Sequence, residues 1–153
     1  MKIGRPKFHS GYGIAQGGDG LLPWEWVEER LASARNYWLV TSSGDGPPQA
    51  APIWGLWVDG AFVFGTNPHS AKGRNLARDP RVVVHLESGD EVVMLHGRVE
   101  PLAEDLFARV GEEYEQKYAT NVVPTDGWHS LRPSYAHAWT ETGFPGDATR
   151  FDL

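Results

Sequence analysis

The chain has 153 residues, of which 41% are hydrophobic and 22% charged. That is enough for one domain with a sizeable core and is ordinary for a globular protein. A formal net charge of −6 argues against a general nucleic-acid binder, which needs a basic face. The absence of cysteine excludes disulfides, thiolate catalysis and cysteine metal sites. No run approaches the roughly 20 apolar residues of a membrane span, and residues 1–16 hold no apolar signal core. The expectation is a cytoplasmic protein with neither nucleic-acid nor membrane partners.

In chain order, residues 1–20 are glycine-rich and read as an extended N-terminal arm, and residues 21–153 as a single domain. "LPWEWVEERLASARN" predicts a helix, with Pro23 in its first turn and Trp24, Val27, Leu31 and Ala34 on one face. "YWLVTSS" predicts a strand, and "GDGPP" a turn. "QAAPIWGLWV" predicts a second strand, where Pro52 and Gly55 suggest an edge or a bulge with something close to the backbone. Asp59 and Gly60 form a hairpin signal, with "AFVFGT" as the return strand. Ser70 is placed to cap "AKGRNLARD", which Pro80 ends. "RVVVHLES" and "EVVMLHGRVE" predict a hairpin. A helix is predicted to start at Pro101, with Leu102, Leu106, Val110 and Tyr114 at a spacing of four, and "SYAHAWTE" to be the last strand. About six strands in hairpins with three inserted helices predict a small, closed antiparallel barrel.

Few motifs carry chemistry. There is no G-x-S-x-G elbow, and the six histidines include no H-x-x-x-H or H-E-x-x-H pair. No metal site is predicted and the catalytic residue is unassigned. His85 and His137, on predicted strands, read as packed and hydrogen-bonded residues. What remains is "TNPHSAKGRNLARDPR", Thr66 to Arg81, a concentration of cations in an acidic chain. A helix start attracts anions through its unpaired N–H groups and dipole. Ser70 adds a hydroxyl there, Lys72 a point charge, Arg74 a planar donor fork and Asn75 an amide. Together they suit a phosphate, the alternative being a solvated surface helix whose bases pair with Asp79 and nearby acids. The Pro52 strand and the "FGT" strand end should lie nearby, and an exposed backbone edge there suits the hydrogen-bonding edge of a flat ring. Arg78 and Arg81 read as surface residues paired with Asp79 and its neighbours.

With these residues the chain resembles the pyridoxamine-phosphate-oxidase-like flavin-binding split barrels. More narrowly it is similar to the actinobacterial-type flavin/deazaflavin oxidoreductases. The resemblance is carried by "ARNYWLVT", "PQAAPIWGLWVDGAFVFGT", "SAKGRNLARDPRVVVHLESGDEVVMLHGRVE" and "TRF". It implies a mainly β, six-stranded split barrel with flanking helices. It also implies a homodimer with two interfacial cofactor sites, each holding FMN or coenzyme F-420. On the family pattern Thr66, Ser70, Lys72 and Asn75 match phosphate-binding positions, with Arg74 in support. Ala51, Pro52, Ile53 and Trp54 match the strand that meets the ring, and Trp139 is a candidate to reach in from the other subunit. The implied activity is hydride transfer to or from a small organic substrate. Tyr37, Trp57, His69 and Trp139 are candidate proton donors or walls. The arginine-rich clamp of true pyridoxamine phosphate oxidases is not evident, which argues against that particular activity. The alternative is a non-catalytic module of the same fold that binds or stores a flavin, a deazaflavin or haem.

Overall fold

A computed structural model describes residues 1–125 and 127–153. Nine strands are described: β1 (Lys2–Gly4), β2 (Tyr37–Thr41), β3 (Gln49–Ile53), β4 (Leu56–Val58), β5 (Ala61–Gly65), β6 (Arg81–Leu86), β7 (Glu91–Pro101), β8 (Trp128–Thr140) and β9 (Thr149–Asp152). Three α-helices accompany them: α1 (Trp24–Ser33), α2 (Ala71–Arg78) and α3 (Phe107–Tyr118). Every ladder is antiparallel, in the order β1-β9-β8-β7-β6-β2-β3, with β5 also on β8 and β4 on β5. One edge of β8 is shared: its first residues pair with β5 and its last with β9. Among the described strands β3 pairs only with β2 and β4 only with β5. The sheet is thus split at that seam rather than closed.

The extra strands have local causes. Residues 49–58 do not run as one strand, because the chain breaks at Trp54–Gly55 between β3 and β4. A Cβ on Gly55 would lie 2.3 Å from Phe62 Cζ, so only glycine lets the backbone come this close to the core ring. The Asp59–Gly60 hairpin is as predicted, with φ of 49° and 75°, the left-handed pair that a two-residue turn needs. β8 starts six residues earlier than predicted. Pro133 is accommodated at a register shift, where Gly97 faces Pro133 and His96 faces Tyr135. Pro101 ends β7 rather than starting a helix. It lies beyond the end of the β6 ladder, where its missing N–H costs no ladder bond. β1 and β9 are too short to show a period in sequence, and they pair with each other at the edge.

The core is one cluster inside the sheet, including Leu39, Phe62, Phe64, Leu95, Leu131 and Phe151, closed by Val27 and Leu31 of α1. Alternate strand residues supply it, as period-2 patterning requires. A second cluster joins β4 and β5 to α3 through Leu56, Val58, Val63, Val110, Tyr114 and Tyr118. Among the described residues no helix is long and apolar enough to cross a membrane.

Candidate cofactor site

α2 is set against the turn that precedes it. Ser70 caps it, its Oγ accepting from Gly73 N–H at 3.1 Å and donating to the Asn67 carbonyl at 2.7 Å. Thr66 Oγ1 lies 3.2 Å from Ser70 Oγ. Gly73 has no room for a side chain: a Cβ would stand 2.3 Å from the Asn67 carbonyl oxygen and 2.7 Å from Pro68 Cα. The helix therefore rests directly on the backbone of the Thr66–Ser70 turn. Gly127, just before β8, closes on the same turn, its carbonyl accepting from Thr66 N–H at 2.9 Å. Among the described residues nothing pairs with the Ala71 and Lys72 N–H groups, the usual condition of a helix's first turn.

Facing this turn is the unpaired edge of β3. A cleft of about 510 Å³ lies between them, lined by Pro52, Ile53, Trp54, Thr66, Lys72 and Tyr114, with Asn36, Gly65 and Asn67. A second cleft of about 310 Å³ is lined by Gln49, Ala50, Ala51, Ala71 and Lys72. Lys72 belongs to both. No ion pair takes Lys72 among the described residues. Ala51, Pro52, Ile53, Trp54, Thr66 and Lys72, singled out in sequence, thus come together in space.

The other expected residues are placed differently. Ser70 spends its hydroxyl on the cap and on Asn67. Arg74 hydrogen-bonds the His69 carbonyl and is exposed. Asn75 is buried beneath α2, where its amide donates to Thr41 Oγ1 at 3.1 Å and Gln49 Oε1 at 3.0 Å. A buried amide has to be paired, and here the pairing ties α2 to β2 and β3. Trp139 does not reach the cleft of its own chain. It pairs across the ladder with Val92 and packs on Phe8 and Phe144. Arg81 pairs with Asp79 and holds that carboxyl down to about 2.

Three candidate walls also lie elsewhere. Tyr37 is fully buried, and its hydroxyl donates to the Leu31 and Ala34 carbonyls. Burial, with Tyr118 nearby, raises its pKa well above the usual phenol range. Trp57 gives its N–H to Glu28 at 3.3 Å. His69 is exposed at the turn. Tyr114, Asn36, Gly65 and Asn67 were missed as lining residues. Gly65 and Asn67 fall in "FGT" and "TNP", but nothing in a helical period marks Tyr114 as the residue that faces a strand break.

This geometry meets its comparison at the level of the family. The model describing pyridoxamine 5'-phosphate oxidase matches residues 24–140. The chain belongs to that family. The solved structure of a conserved hypothetical protein from Mycobacterium tuberculosis is 25% identical, with a TM-score of 0.68, over 86% of this chain and 94% of that one. A structure described as an F420 reductase is 22% identical, TM-score 0.55, over 71% and 94%. A haem-binding protein from Mycobacterium smegmatis is 21% identical, TM-score 0.64, over 86% of this chain and 59% of its own. The last two share the fold. The split-barrel family expected from sequence is thereby established, with nine described strands rather than six and an open seam.

Proposed function

We propose that this chain is a flavin- or deazaflavin-dependent oxidoreductase that binds FMN or coenzyme F-420 between β3 and α2. The observation that carries the reading is the meeting of two features across clefts that share Lys72: a free strand edge and a helix start with an unpaired ammonium. The donor set fits a phosphate-bearing flat ring. Lys72 Nζ, Thr66 Oγ1 and the first N–H groups of α2 are donors grouped at one end, as an anion requires. Backbone groups on the open edge of β3, from Gln49 to Ile53, suit the polar edge of the ring. Bound there, such a cofactor supplies hydride transfer, so no protein nucleophile is needed.

The chain's own residues position and shield. Pro52 leaves one place on the edge without an N–H, which removes a donor that would compete for register. Ile53, Trp54 and Tyr114 exclude water from one wall. A homodimer is part of the proposal, with the partner subunit's Trp139 completing the substrate side. Light scattering on the purified protein checks this, and a monomer would remove that part.

Titration with FMN and with F-420, followed by turnover with quinones, enones and nitroaromatics, tests the main reading. Binding of neither cofactor would overturn it. Binding without turnover across the panel would support a storage module instead.

A further inference from the structure

The break between β3 and β4 is held by more groups than a chain reversal needs. Tyr118 Oη accepts the Gly55 N–H at 3.0 Å. Its own proton lies between the Arg35 and Gly55 carbonyls, at 2.8 and 2.9 Å. Lys117 Nζ donates to the Gly55 carbonyl at 3.0 Å and to Tyr37 Oη at 2.7 Å. Both backbone polar groups of Gly55 are thus taken by side chains from the last turn of α3. The residue fixed by this arrangement is Trp54. Its indole lies flat on the Tyr118 ring, with centroids 4.6 Å apart and planes 9° apart. Its N–H is spent on Asn36 Oδ1 at 3.2 Å. Arg35 sits beside the stack, 5.4 Å from one ring and 5.5 Å from the other.

Trp54 is nonetheless 36% exposed and lines the larger cleft. With its N–H satisfied inside the chain, it offers the cleft no hydrogen bond. What it offers is a π surface. One face is covered by Tyr118, and among the described rings only Tyr114 also approaches, at 6.3 Å. We infer that Trp54 is a stacking platform for a flat, conjugated substrate ring, and that Tyr118 and Lys117 are the positioning residues that hold it. This rests on the proposed function for calling the ligand a substrate. The physical basis is pre-organisation: an aromatic surface locked before binding loses little entropy when a ring settles on it. Stacking favours planar π-systems over saturated rings of equal size. The substrate class is therefore quinone-like or aromatic rather than aliphatic.

The test uses menadione as the flat probe and cyclohex-2-enone as the small non-aromatic one. Equilibrium dialysis on cofactor-free protein gives their affinities, alongside the FMN and F-420 affinities of the same variants. Trp54→Leu is expected to weaken menadione binding at least about tenfold, roughly 1.4 kcal/mol, while cyclohex-2-enone changes less than about threefold. Trp54 also walls the cofactor cleft, so cofactor affinity should fall too, but by less than about threefold. Trp54→Phe should restore most of the menadione binding. Tyr118→Phe keeps the ring but loses the bonds to Gly55 and Arg35. It should weaken menadione without weakening the cofactor, and should change the near-UV circular dichroism of the stacked pair. Unchanged menadione binding in Trp54→Leu overturns the inference, as does equal loss of menadione and cofactor. If the wild type takes menadione but neither cofactor, the proposed function fails and the platform stands. If it takes a cofactor and Trp54→Leu leaves menadione untouched, the platform fails and the proposed function stands.

Discussion

Gly73→Ala is the smallest change that probes how α2 is seated. In most helices it would help, since alanine is favoured over glycine by up to about 1 kcal/mol. Here the new Cβ would stand 2.3 Å from the Asn67 carbonyl oxygen and 2.7 Å from both Pro68 Cα and its carbonyl oxygen. All three are backbone atoms, so no rotamer change relieves them. The turn or the helix must shift by about an ångström to reach ordinary contact, and forced overpacking of this kind costs about 1–3 kcal/mol. Subtracting the propensity gain leaves a net loss of up to about 2 kcal/mol. For a chain of this size that lowers Tm by up to about 8 °C. Thermal and urea unfolding without cofactor, at matched protein concentration, measure it. A Tm above the wild-type value would mean that α2 is not resting on the Asn67–Pro68 backbone.

The buried Asn75 predicts that Asn75→Ala destabilises by about 1–3 kcal/mol, since Thr41 and Gln49 lose their shared partner; urea midpoints check it. Burial first, then His96 and Arg150, push the imidazole of His137 down to about 4. The unfolded chain takes up that proton near 6.5, so between about 6.5 and about 4 it binds more protons than the folded one. Stability should be fully present above that window and fall as pH is lowered through it. His137→Asn should flatten the dependence, read from urea midpoints between pH 4.5 and 7.5. Equal slopes in both proteins would place the dependence elsewhere. Asp79 sits lower, at about 2, so its contribution is lost only in stronger acid and does not overlap.

The sequence carried the fold wherever spacing or turn chemistry is strong. β2, β6 and β7 alternate cleanly, Asp59–Gly60 dictates its own turn, and Ser70 caps the helix it precedes. Less was legible where tertiary context decides. The strand from Gln49 to Val58 breaks because Gly55 meets Phe62, a contact between residues that no local period links. Pro133 and Pro101 look like breakers but fall at a bulge and beyond a ladder's end. At the site, Lys72, Thr66 and the β3 residues were readable because they flank one motif. Asn75 was not, because its neighbours in sequence say nothing of the Thr41 and Gln49 groups above which it lands. Trp139 lines neither cleft of its own chain. Tyr114 and Tyr118 carry ordinary helical spacing, and only the folded chain places them under Trp54.

We propose that Lys72 and the start of α2 hold the phosphate of a flavin-type cofactor. The most direct test is a titration of wild type and Lys72→Ala with FMN and F-420, followed by absorbance and fluorescence. The claim predicts that the better-bound cofactor loses at least about tenfold in affinity, roughly 1.4 kcal/mol, on removal of one charge-assisted contact, with Tm unchanged because Lys72 has no ion pair among the described residues. Equal affinity in the two proteins would contradict it and put the phosphate somewhere else on the chain.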